Sequence, residues 1–171
     1  LTFRRGRLID DRASLAGTLT NCAGGRTPWG SWLSCEEVTI RGALVGAKDH
    51  GYVFEVPDPA TGLIATAQPI KEMGLMDHEA VAVDRRTSFV YLTEDNGPNS
   101  GFYQFRPSDM SRQVGSLANG GELYMLKIVG ADNRDMTQVA TGEVVNVAWE
   151  RIDDAGADPE SLVSPEEGYP P

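Results

Sequence analysis

Asn21-Cys22-Ala23-Gly24-Gly25-Arg26-Thr27-Pro28-Trp29-Gly30-Ser31-Trp32-Leu33-Ser34-Cys35-Glu36-Glu37 is the stretch whose reading organises the chain. Gly24, Gly25 and Pro28 punctuate the backbone, which predicts a turn. Trp29, Trp32 and Leu33 then lead into the polar end Ser34-Cys35-Glu36-Glu37, which predicts a strand over 29–36. Side chains alternate faces along a strand, so Cys35 and Glu37 share one side and Glu36 points to the other. Burying like charges is costly, so such an end is either solvated or neutralised by a cation.

Working outward, the same pattern of short apolar runs between turn signals recurs. It predicts strands over 51–56, 79–83, 89–93, 101–106 and 122–128, with 63–69 and 143–152 as further candidates. Residues 1–20 read as a lead-in strand and loop, and 153–171 as an irregular tail. The fold class is therefore all-β. An internal repeat refines it: Leu33-Ser34-Cys35-Glu36-Glu37 aligns with Tyr91-Leu92-Thr93-Glu94-Asp95, and Gly51 to Pro57 aligns with Gly101 to Pro107. A unit of roughly fifty residues is the size of a four-stranded β-propeller blade. About three such blades fit in the chain, fewer than the typical four to eight of a closed propeller. The expectation is a single domain over 1–171, an incomplete portion of a longer propeller, since Leu1 and the Pro-rich end both read as interruptions.

Composition agrees with this class. The chain has 171 residues, 40% of them hydrophobic, with 19 glycines and 10 prolines, as suits a turn-rich β protein. Its net charge of −10 argues against nucleic acid or an anionic membrane as partner. The acidity suits carboxylates neutralised by multivalent cations, and equally suits a solvated acidic surface. No apolar run is long enough for a transmembrane helix, and no basic-then-apolar secretory leader is visible in this sequence, which says little about where the parent protein lives. Cys22 and Cys35 are the two cysteines, a possible disulfide across the glycine turn but no disulfide framework.

Equivalent ends of the repeats would carry Glu36-Glu37 and Glu94-Asp95 towards a common axis, where His78-Glu79 could join them. Converging carboxylates are a calcium-like set, whereas the soft thiolate of Cys35 suits iron or zinc. The plainer reading is solvated acids, a hydrogen-bonded histidine and a small buried cysteine. No Gly-rich phosphate loop, serine elbow or paired-histidine zinc motif is present, and Gly24-Gly25 reads as a turn signal only.

The opening motif, with His50-Gly51-Tyr52-Val53-Phe54-Glu55-Val56, His78-Glu79-Ala80-Val81-Ala82-Val83-Asp84 and Val90-Tyr91-Leu92-Thr93-Glu94-Asp95, resembles the PhoX-type alkaline phosphatases. The resemblance is close over about 18–107 and loose elsewhere. It implies a β-propeller phosphatase, periplasmic or extracellular in bacteria after twin-arginine export, with iron and calcium clustered in the channel. It further implies small phosphomonoester substrates. Carried over, Cys35 is the iron-binding thiolate, and Glu36, Glu79, Glu94 and Asp95 lie in or beside the cluster. Glu37 is the weaker candidate. The family's phosphate-binding arginine matches none of Arg26, Arg41, Arg106 or Arg134 by motif. Two other readings stand beside this one: a non-catalytic propeller that binds calcium or displays a ligand surface, and a structural or partner-binding portion of a larger chain; as a homo-oligomer, two or more copies could close a ring.

Overall fold

Short strands joined by tight turns make up the computed structural model, which describes residues 1–42, 48–61, 63, 65, 68–131 and 134–155. β1 (Thr2–Arg4) and β2 (Arg7–Asp10) form a separate antiparallel hairpin. β3 (Asn21–Arg26), β4 (Trp32–Glu36), β5 (Val53–Val56), β6 (His78–Val83), β7 (Val90–Glu94), β8 (Phe102–Pro107), β9 (Gly121–Ile128) and β10 (Val147–Ile152) form one eight-stranded sheet. Its order is β10-β9-β8-β7-β6-β3-β4-β5. Every pairing in it is antiparallel except β3 with β6, which run parallel and meet at Gly24 and Ala80.

The chain is thus mostly β, as the alternation predicted. The sheet is two meanders, β3–β5 and β6–β10, joined along one parallel seam, with β5 and β10 as its edges. Three plus five strands in one open sheet differ from the expected series of four-stranded units. The difference arises because β3 pairs directly with β6 and because β10 extends the second meander. The expected strand over 63–69 falls partly outside the described residues, and its described positions are not in a strand. Most of the 153–171 tail also lies outside them.

The clearest correction concerns Gly24 and Gly25, which sit inside β3 and not in a turn. The turn comes later, where Thr27 N–H donates to the Ser31 carbonyl at 2.9 Å and the two hydroxyls lie 2.7 Å apart. Gly24 has φ +58, and a Cβ there would lie 1.9 Å from the Leu33 carbonyl oxygen. A Cβ on Gly25 would lie 2.0 Å from the Val81 carbonyl oxygen. The glycines let β3 press against β4 on one side and β6 on the other.

Packing follows the two-residue period. Val90 and Leu92 of β7 are fully buried, while Tyr91 and Thr93 face away. Leu33, Cys35 and Val53 of the first meander pack in one core cluster with Val81, Val90, Leu92, Phe105 and Leu123 of the second. Ile70, Met73 and Met76, around the 3₁₀ turn Lys71–Met73, fill the same layer. A side chain buried as fully as Phe105 contributes roughly 1.5–3 kcal/mol. One continuous core therefore spans both meanders.

Candidate metal centre

The seam brings chemistry-bearing residues together. Antiparallel register sets Cys22 directly opposite Cys35, and the β3–β6 contact carries Glu79 alongside. Cys22, Glu37 and Glu79 each present one ligand atom, and these atoms lie within 4.8 Å of one another, all half-buried. Both cysteines are free thiols. The Ala23 N–H favours the Cys22 thiolate, but burial and hydrogen bonds to the Glu37 and Glu79 carboxylates prevail and push its pKa up. Cys35 lies immediately behind, 0% exposed. Burial first, then the charges of Cys22 and Glu79, push its thiol up to about 12. A cation among these groups would favour both thiolates, so the donor set fits a metal ion. Thiols beside carboxylates suit a transition ion better than calcium alone.

These environments set a thiol-reactivity expectation. In metal-stripped protein a disulfide reagent should titrate Cys22 first, with Cys35 silent until the chain unfolds. Absence of any free thiol until the protein is reduced, with stability lost on reduction, would instead establish the Cys22–Cys35 disulfide.

Of the five expected ligands, the structure brings Cys35 and Glu79 to this place. Glu36 points to the opposite face, fully buried. Its Oε1 accepts from Leu19 N–H at 2.9 Å and from His50 Nδ1 at 2.7 Å. Its Oε2 accepts from the N–H groups of Gly51 at 2.7 Å and Tyr52 at 3.1 Å. Glu94, its repeat partner, accepts from Gly101 N–H at 2.9 Å and the Tyr103 hydroxyl at 2.7 Å. The two acids thus clamp the equivalent glycines that open β5 and β8. Asp95 is exposed just past β7, its N–H donating to the Asp77 carbonyl.

His78 is fully buried beside the seam. Its Nε2 lies 3.1 Å from the Gly74 carbonyl, and its Nδ1 has no hydrogen-bond partner. Burial lowers its pKa to about 4, so it is neutral at physiological pH. Among the arginines, Arg106 lies over the Tyr124 ring and donates to Gln104, and Arg134 pairs with Glu143. The grooves at β9–β10 and at β4–β5 are not lined by the thiol–carboxylate group.

Sequence reading named Cys22 only as a disulfide partner and ranked Glu37 below Glu36. Strand alternation held the signal for Glu37, since it shares a face with Cys35. Nothing local pointed to Cys22, because its neighbours across the seam come from more than fifty positions away.

Among the described residues no helix is long and apolar enough to cross a membrane. None of the curated proteins and none of the solved structures compared with the chain matches it. A family model described as alkaline phosphatase PhoX matches residues 5–167. This chain belongs to the PhoX alkaline phosphatase family.

Proposed function

We propose that the chain is a single-domain portion of a metal-dependent phosphomonoesterase, with Cys22, Glu37 and Glu79 as ligands and Cys35 beside them. The observation that carries this reading is the convergence of two thiols and two carboxylates at the seam of a PhoX-family chain. Iron suits the thiolates and calcium the carboxylates, including the exposed Asp95 and, more peripherally, Glu94. The bound ions supply Lewis acidity towards a phosphoryl oxygen and offset phosphate charge. The chain's own residues hold the ligand atoms apart at fixed spacing, because β3, β4 and β6 are locked together by their glycine contacts. Core packing behind Cys35 keeps water from that side of the site.

In this reading the two meanders are blades of a propeller, with β3 and β6 innermost. Its substrate is a small phosphomonoester and its setting periplasmic or extracellular. The arginines engaged elsewhere favour a second reading, a calcium-binding propeller portion without catalysis.

Metal analysis combined with hydrolysis of a chromogenic phosphomonoester separates the two. Purified chain should carry a transition metal, and Cys22→Ser or Glu79→Gln should lower its metal affinity at least about 100-fold, with unchanged circular dichroism. Chelation should abolish hydrolysis. Calcium without transition metal, and no hydrolysis at any metal loading, would establish the second reading.

A further inference from the structure

The chain has two histidines, and their rings differ in access. His78 is fully buried, with Nε2 3.1 Å from the Gly74 carbonyl oxygen and Nδ1 enclosed without a partner. His50 is held by the Glu36 clamp, with its side chain 13% exposed. Its Nδ1 lies 2.7 Å from Glu36 Oε1. The same carboxylate already accepts the N–H groups of Leu19, Gly51 and Tyr52. A carboxylate so placed offers only acceptor sites, so the ring proton sits on Nδ1 and Nε2 carries the lone pair. Nε2 has no partner among the described residues, and unlike His78 Nδ1 it is not enclosed. The backbone is fixed as well, since His50 N–H donates to the Ile40 carbonyl at 2.9 Å and Ile40 N–H returns the bond at 3.0 Å.

An imidazole whose proton is pinned by a buried carboxylate is a primed electron-pair donor. As Nε2 bonds to an electrophile the ring gains positive charge, and Glu36 lies against the nitrogen that keeps the proton. A metal ion would need further ligands, and among the described residues the convergent ligand atoms are those of Cys22, Glu37 and Glu79. A phosphoryl group needs only the one nitrogen, and it carries its negative oxygens on the accessible side of the ring.

We propose that His50 is a phosphoryl-accepting residue, modified at Nε2 by small phosphoramidates while Glu36 holds its Nδ1 proton. The Nε2 lone pair forms a new P–N bond, the donor's own P–N bond breaks, and the donor nitrogen leaves as ammonia. The Nδ1 proton stays on the ring, facing Glu36. No metal and no oxidant takes part. The inference is therefore independent of the phosphatase reading, and its failure would leave that reading intact.

Labelling with phosphoramidate in the presence of chelator tests it, read by peptide mass spectrometry under alkaline conditions, where phosphohistidine survives. The folded chain should gain one phosphoryl group, on His50, and phosphorus nuclear magnetic resonance should identify the Nε2 isomer. His50→Asn keeps an N–H donor for Glu36 but has no second ring nitrogen. It should take no label, with unchanged far-UV circular dichroism. Glu36→Gln keeps a hydrogen-bonding group without the charge, and should slow labelling about 10–100-fold while remaining folded, the loss typical of changing a carboxylate that orients a histidine. Unfolded chain, in which both histidines take the label, shows that the reagent is competent, so an unlabelled folded chain would overturn the inference. Label on His78 or on Nδ1 of His50 would also overturn it, as would a Glu36→Gln chain labelled as fast as the unaltered one.

Discussion

Gly25→Ala should abolish cooperative folding, one of the two largest effects expected of a methyl group added at a described glycine. The new Cβ would lie 2.0 Å from the Val81 carbonyl oxygen and 2.8 Å from a Val81 methyl carbon. The obstacle is backbone in the neighbouring strand, so no rotamer change relieves it. Either β3 leaves β6 or the whole second meander shifts. Overpacking a core costs typically 1–3 kcal/mol, and a backbone clash at the parallel seam between two packed meanders should exceed that. Gly24→Ala should behave alike, with its clash on Leu33 and an added cost for the left-handed backbone. Gly30→Ala is the control: its φ is +96, but nothing lies within 4 Å of the added carbon. It should lose only about 1–2 kcal/mol, the cost of the left-handed backbone alone. Thermal unfolding of the three variants measures the ordering, and a Gly25→Ala chain as stable as the Gly30 variant would refute the seam geometry.

Glu36→Ala should destabilise the metal-free chain by roughly 3–5 kcal/mol, the penalty for breaking a buried charged network by removing one partner. It would leave the N–H groups of Leu19, Gly51 and Tyr52 and the His50 ring facing a void. Glu36→Gln keeps the volume but sets an amide NH₂ against N–H donors, so it should recover only part of the loss. Glu94→Ala should cost less, because that carboxylate is only half-buried and serves Gly101 and Tyr103. Chemical denaturation in the presence of chelator reads these differences. The alternative role, a metal ligand at Glu36, predicts the reverse pattern: normal stability without metal and lost affinity with it. The same pair of measurements therefore decides between clamp and ligand.

Much of this was legible in the chain. Strand alternation put Val90 and Leu92 on one face and Tyr91 on the other, and it separated Cys35 and Glu37 from Glu36. The repeat identified Glu36 with Glu94 and Gly51 with Gly101, and the structure shows each acid holding its own glycine. These features are local or periodic, so residue order alone expresses them. The turn at Gly24-Gly25 was misread because a glycine pair signals a turn and a close strand approach alike. What decides between them is a neighbour such as Val81, which local pattern does not reveal. The thiol–carboxylate group was hidden for the same reason. Sequence by itself determined an all-β chain with a repeated acid-and-glycine unit and the face each strand residue takes. Only the tertiary structure decided that β3 runs parallel to β6, and so that Cys22 and Glu79 meet. Pairing between distant strands depends on how whole faces fit together, which no short window of residues contains.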